Sequence, residues 1–181
     1  MKKYRIPFSG RAHNYTDDEM DVIFEAIKKA DPLTQGYFLN KFQNKFSEYL
    51  GTKNTFAVNN AAAALELAAQ LCLFKSDDEV IIPAHTYTAS AYPFLKKGAK
   101  IVWADIDLKT RVVNAKTIEN CITKKTKAIV VVHLYGYGID MPEIMSLAKK
   151  YKLIVVEDTA QALGVTINDK KAGTYGDFGI F

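Results

Sequence analysis

The sequence predicts an α/β protein of three layers, with helices on both faces of a mainly parallel sheet. Three observations predict it. Beyond about residue 55, short β-favouring runs alternate with helical stretches, the order that βαβ units generate. The run Leu153-Ile154-Val155-Val156 offers water no polar side chain, so it reads as a strand buried on both faces. An apolar share of 49% over 181 residues is ample for the core such a sheet needs.

The elements follow in order. Thr16 to Ala30 reads as a helix, with Asp17, Asp18 and Glu19 in its first turn, where carboxylates favour the helix dipole. Asp31-Pro32-Leu33-Thr34-Gln35-Gly36 is a turn-rich connector, and an amphipathic helix is expected from Leu39 to Leu50. Residues 1–54 therefore form an N-terminal helical segment, and 55–181 the sheet-bearing domain. In that domain Thr55 to Val58 is expected as a short strand and Ala61 to Phe74 as an Ala/Leu-rich helix. Glu79 to Ile82 is a strand stopped by Pro83, and Ser90 to Lys97 lies in a helix ending before Gly98. Lys100 to Ala104 is a strand leading to Asp105 and Asp107, and Ala115 to Ile122 a helix. Ala128 to Val132 is a strand, and Met141 to Tyr151 a helix with Pro142 in its first turn. From Gly173 to Phe181 a turn feeds a strand that has barely begun, so the chain reads as truncated.

Composition excludes several function classes. The net charge is +4 and the pI near 8.9, but the lysines are scattered in pairs such as Lys28-Lys29, Lys96-Lys97 and Lys149-Lys150. They read as solvated surface near helix ends, and a nucleic-acid partner is not expected. Cys72 and Cys121 lie in apolar helical patterns without C-x-x-C spacing, which points to a reduced cytoplasmic setting and no metal. No stretch approaches the ~18 apolar residues of a membrane span, so no membrane association is expected.

Four features fall at strand ends or on loops beside them. Glu157 and Asp158 arrive where the Leu153–Val156 run should stop, and Gln161 follows. Ligands of open α/β sheets bind outside the carboxyl ends of strands, so Asp158 would face a crevice. A carboxylate there can hold a proton on a cationic heterocycle while the amide beside it donates to a ring oxygen; equally, Asp158 could cap a following helix. Asn59-Asn60-Ala61-Ala62-Ala63 opens a helix with small side chains, so its N–H groups could approach a phosphate, although an Asn N-cap explains the same residues. Tyr87, after Pro83, could stack on a flat ring or be a half-buried helix-start aromatic. His133 ends another strand, as a packing residue or a base. Together they place a phosphate cradle, an aromatic plate and a carboxylate on one sheet edge. A phosphorylated pyridine cofactor needs that set, because an anionic carboxylate keeps the ring nitrogen protonated and the ring electron-accepting.

These residues stand in a series of longer stretches: Asp31 to Gly36, Val58 to Leu65, Asp78 to Tyr87, Gly98 to Val102, Val131 to Gly136, Val155 to Gln161 and Gly173 to Phe178. In that order and spacing they resemble the N-terminal part of the DegT/DnrJ/EryC1/StrS family of pyridoxal-phosphate-dependent sugar aminotransferases. The resemblance runs from Pro7 through Phe181. It implies the type I fold of aspartate aminotransferase, with the first part of the large, cofactor-binding domain present here.

By that resemblance Asp158 would pair with the pyridinium nitrogen and Gln161 would reach the 3-hydroxyl side of the ring. Tyr87 would stack on the ring, and Asn60, Ala61 and Ala62 would face the phosphate. The family usually carries Ser-Gly-Thr, or a close variant, at these last three positions, so a hydroxyl donor is lost while the amides remain. His133 is grouped with Asp158 as catalytic, without an assigned step. Thr34, Gln35 and Gly36 would lie near the nucleotide-sugar substrate or a partner subunit. The Schiff-base lysine belongs beyond the last residue, and none of Lys149, Lys150, Lys152, Lys170 or Lys171 stands in its place.

The function implied is transfer of an amino group, from glutamate, to a keto group of a nucleotide-linked sugar in amino-sugar and polysaccharide biosynthesis. The cofactor would be pyridoxal 5'-phosphate or pyridoxamine phosphate, and the enzyme a cytoplasmic homodimer. The chain alone should not transaminate. Two alternatives stay open. One is a pyridoxamine-phosphate-dependent sugar dehydratase of the same family, with His in place of the lysine. The other is a doubly wound nucleotide-binding or oxidoreductase domain, against which no G-x-G-x-x-G follows any predicted strand. The adjacent Tyr37 and Phe38 on the connector need burial, in a subunit interface or against their own domain.

Overall fold

The computed structural model describes residues 14–32 and 34–181, in two units, one ending at Ala57 and the other Val58–Phe181. Among its described residues the first unit carries two helices. Helix α1 (Asp17–Lys29) opens with a reciprocal capping box: Thr16 N–H donates to Glu19 Oε2 at 2.7 Å, and Glu19 N–H donates to Thr16 Oγ1 at 3.3 Å. Helix α2 (Tyr37–Leu50) starts two residues earlier than the periodicity predicts and ends at Gly51 in the left-handed region. Gly36 sets that start, because a Cβ there would lie 2.5 Å from the Pro32 carbonyl oxygen. Tyr37 and Phe38 thus stand on the first helical turn and not on the connector, with their rings edge to face at 5.3 Å.

The strand expected over 55–58 does not form. The Ala57 N–H donates to Gln43 Oε1 at 2.9 Å and the Thr55 hydroxyl to the Gln43 carbonyl at 2.7 Å. A β-favouring composition makes no strand without a neighbour to pair with, and this segment pairs with the side of α2 instead.

The second unit holds a parallel sheet of five strands: β1 (Glu79–Pro83), β2 (Lys100–Ala104), β3 (Thr126–Val132), β4 (Ile154–Asp158) and, after a small hairpin, β7 (Phe178–Ile180). The spatial order is β2-β1-β3-β4-β7, with Ile81 beside Ile129, Val132 beside Asp158, and Asp158 beside Ile180. Alternation along the strands splits the core. Val80, Ile82, Val130, Val132 and Val156 join Leu65, Ala68, Cys72 and Phe94, from α3 (Ala61–Leu71), its cap and α4 (Tyr92–Lys96). Ile81, Ile129, Val131 and Val155 join Ile118, Ile144 and Leu147, from α5 (Ala115–Glu119) and α6 (Met141–Tyr151). The result is the three-layer αβα arrangement that the alternation of elements predicts.

Other elements also depart from expectation, and α5, expected to reach Ile122, ends at Glu119. The helix expected over Ser90–Lys97 is a 3-10 turn at Thr88–Ser90 followed by the short α4, whose first turn holds Pro93, a residue without an N–H to donate. Helix α3 stops at Leu71, and Leu73 turns left-handed at φ 51°. The hairpin of β5 (Thr166–Ile167) and β6 (Lys170–Lys171) was not anticipated, although Asn168-Asp169, both at positive φ, is the turn pair that closes such ribbons. Among the described residues no helix is long and apolar enough to cross a membrane.

The two-sided core makes a local contrast testable. Phe94 is fully buried and its neighbour Leu95 is 58% exposed. Phe94→Ala should cost about 3–5 kcal/mol in urea unfolding, and Leu95→Ala no more than about 0.5 kcal/mol.

Candidate active site

The site grows from the carboxyl end of β4. Period-two alternation sends the adjacent acids Glu157 and Asp158 to opposite faces of the sheet. Glu157 faces the α5–α6 side and is fully buried. Its Oε1 accepts the N–H groups of Tyr175 and Gly176, each at 2.6 Å, and its Oε2 accepts that of Gly173 at 2.8 Å. Gly176 comes this close because it has no side chain: a Cβ would lie 2.7 Å from the Val155 carbonyl oxygen. Burial pushes the Glu157 carboxyl up, but hydrogen bonds from His133 and from the Gly176 and Gly173 amides outweigh it and hold the group below its ordinary value.

His133 completes this cluster. It is fully buried, its Nδ1 accepts the Ile139 N–H at 3.2 Å, and its Nε2 faces Glu157 Oε2 at 3.4 Å. An acceptor role at Nδ1 places the ring proton on Nε2, directed at the carboxylate. The His133 N–H donates to the Asp158 carbonyl at 3.0 Å. Both ring nitrogens are therefore engaged inside the protein.

Asp158 faces the α3–α4 side and is 6% exposed. Its Oδ1 accepts the Ala160 N–H at 3.1 Å, and its Oδ2 accepts the hydroxyl of Ser90 at 2.7 Å. Ser90 closes the 3-10 turn, donating its N–H to the Tyr87 carbonyl at 2.9 Å, so Tyr87, itself 70% exposed, is tied to the turn whose Ser90 hydroxyl meets the carboxylate. On the other side, Gln161 Oε1 accepts the Tyr135 N–H at 3.0 Å. Tyr135 presents that N–H from a left-handed backbone, φ 55°, and the bond uses the Gln161 amide oxygen, not its nitrogen. The exposed His85 ring lies edge-on to Tyr135 at 6.2 Å and closes the rim.

The residues expected to face a phosphate open α3. The Asn60 side chain accepts the Ala63 N–H at 2.9 Å, a normal N-cap, and its carbonyl accepts the Ala64 N–H at 3.2 Å. Ala61 and Ala62 precede any intrahelical acceptor, so their N–H groups are the orphan donors of the helix start. The N-cap role is thus observed, and it leaves the Ala61 and Ala62 donors unused within the helix. Helix α3 packs against the 3-10 turn and β7, on the same face of the sheet as Asp158. Thr34, Gln35 and Gly36 belong to the other unit, between α1 and α2, where Thr34 and Gln35 are exposed.

The sequence model of the DegT/DnrJ/EryC1/StrS aminotransferase family matches residues 14–181. The chain belongs to this family. It is 39% identical over 164 residues to the GDP-perosamine synthase of Caulobacter vibrioides, an overlap of 91% of this chain and 44% of the synthase. Among solved structures, an aminotransferase from Psychrobacter cryohalolentis superposes with a TM-score of 0.83 at 35% identity, covering 94% of this chain and 43% of that one. The GDP-4-keto-6-deoxy-D-mannose-3-dehydratase of E. coli, solved with bound hydrated PLP, superposes at 0.82 with 26% identity, covering 91% and 44%. The chain thus spans less than half the length of these relatives.

Sequence reasoning missed Ser90, Thr86 and Tyr135. The signal for the first two was faint: hydroxyls four apart beside a strand end, the second in the apolar run Ala89-Ser90-Ala91. Tyr135 had none, because its role is a backbone N–H turned by its φ.

The Glu157 cluster sets a pH dependence. A carboxyl held below its ordinary value of 4.5 stabilises the fold above that pH, and the contribution disappears as pH falls through the lower folded value. Glu157→Gln should lower stability at pH 7 by about 1.5–3 kcal/mol. Its unfolding midpoint should then fall less steeply than wild type below pH 4.5 in a denaturation series, and parallel curves would exclude the role.

Proposed function

We propose that this segment is the cofactor-holding part of a pyridoxal-phosphate-dependent aminotransferase acting on nucleotide-linked sugars. The observation that carries the reading is Asp158, a nearly buried carboxylate at the carboxyl end of a central strand, with one donor on each oxygen and acceptor capacity to spare. A buried carboxylate with spare acceptor capacity fits a cationic N–H.

The surrounding residues fit the rest of the group. Ala61 and Ala62 N–H groups would take its phosphate at the positive end of α3, where the family's usual hydroxyl is replaced by Asn60. Gln161, fixed by Tyr135, would donate to the ring oxygen, and Tyr87 would cover one ring face. When bound, pyridoxal phosphate supplies a protonated ring that accepts electron density from the substrate carbon. Asp158 would hold the ring proton in place. We assign His133 a positioning role, because both its nitrogens are used within the protein: it orients Glu157 and the end of β4.

The intact enzyme is proposed to take the amino group from glutamate, and the kinship to GDP-perosamine synthase supports a nucleotide-linked keto sugar as acceptor. Thr34, Gln35 and Gly36 are proposed to approach that sugar or a second subunit. The exposed Tyr37 supports a homodimer, and the cysteine pattern a cytoplasmic setting. The E. coli dehydratase supports a second reading, removal of a sugar hydroxyl with pyridoxamine phosphate. The residue that separates the two, lysine for transfer or histidine for dehydration by the family resemblance, lies outside these 181 residues.

Two measurements on the intact enzyme test the proposal. Asp158→Ala should lower kcat/KM by about 10²-fold or more in a protein that still folds, and undiminished turnover would leave Asp158 a mere cap. Product analysis with glutamate and a nucleotide-linked keto sugar should show an amino sugar, whereas a deoxy product would favour the dehydratase.

A further inference from the structure

We propose that Ser90, backed by Thr86, is a positioning residue that aims the Asp158 carboxylate at the cofactor's ring nitrogen; this rests on the reading of Asp158 given above. The hydroxyls form a chain of fixed polarity. Thr86 Oγ1 donates to Ser90 Oγ at 2.9 Å, which leaves the single Ser90 proton for Asp158 Oδ2 at 2.7 Å. Ser90 is 1% exposed, so water cannot take over if its hydroxyl is removed.

Two carboxylate oxygens on a short side chain can rotate together. The Ala160 N–H holds Oδ1 from within the same loop, but Ser90 holds Oδ2 from an element 68 residues away in sequence. With both oxygens tied, the plane of the carboxylate is fixed and the lone pairs that remain have one direction. A hydrogen bond to an ionised acceptor is among the stronger ones, which suits it to this task. The same turn also carries Tyr87, whose carbonyl accepts the Ser90 N–H. One residue therefore ties the carboxylate to the backbone that presents the aromatic ring, and sets the two at a constant separation.

The test uses pyridoxamine phosphate and its 1-deaza analogue, in which the ring nitrogen is replaced by carbon, with binding to the intact enzyme measured by equilibrium dialysis. Wild type should prefer the nitrogen-bearing ligand. Ser90→Ala should weaken binding of pyridoxamine phosphate by about tenfold and leave the Kd of the deaza analogue within about twofold, because only the former engages Asp158. Ser90→Thr, which keeps the hydroxyl, should restore the preference. Thr86→Val should reduce it by a smaller factor, and this variant carries the test if Ser90→Ala does not fold. Equal weakening of both ligands, or a preference that survives in Ser90→Ala and Thr86→Val, overturns the inference while leaving Asp158 in its role. A wild-type enzyme that does not distinguish the ligands overturns the Asp158 reading itself.

Discussion

The architecture of the site depends on one buried anion. Glu157, fully enclosed, draws the N–H groups of Gly173, Tyr175 and Gly176 and the Nε2 of His133 to a single carboxylate. A charge at that depth is tolerated only if it is fully hydrogen-bonded, so loss of any donor is costly and the four donors are held as a set. They come from the loop before β7 and from the end of β3, so the anion fastens together the chain segments on either side of β4. Asp177 adds to the fastening, accepting the Val155 N–H at 2.8 Å and donating its own to the Val155 carbonyl at 2.9 Å.

That framework matters because Asp158 is the next residue. Adjacent positions of a strand face opposite ways, so the rigidity of one acid becomes the positional accuracy of the other. On the α5–α6 side the carboxylate saturates with backbone donors and serves structure. On the α3–α4 side it accepts one hydroxyl and one amide, and is the acid proposed to serve chemistry. The same residue class performs two jobs through the donors each face supplies. The loops then bring Tyr87, Tyr135 and Gln161 around the second acid, as expected where ligands gather at the carboxyl ends of a parallel sheet.

The legibility of the fold in the sequence varied with the source of each signal. Strands β1, β3 and β4 could be read because burial on both faces leaves a compact apolar run with a turn residue or an acid at its end, and the edge strand β2 from its β-favouring composition. The segment 55–58 carried the same local signal and made no strand, because pairing is a property of neighbours and Gln43 supplied a different partner. Helix boundaries near Pro93 and Leu73 shifted where a missing N–H or a left-handed residue interrupted the ladder. At the site, Asp158 and Gln161 were visible as polar residues after an apolar strand. Ser90 was not, because the bond that gives it meaning spans 68 residues.

The sequence by itself determined the layer architecture, the family and the residue types gathered at the sheet edge. Periodicity, strand-end polarity and motif spacing are properties of neighbouring residues. Only the tertiary structure decided the division of labour among those residues. It made Glu157 structural and left Asp158 with open acceptors, turned His133 inward with both nitrogens engaged, and gave Asp158 a hydroxyl partner in Ser90. The physical reason is that a polar group's role is fixed by the donors and acceptors that surround it once water is excluded, and those arrive from distant parts of the chain.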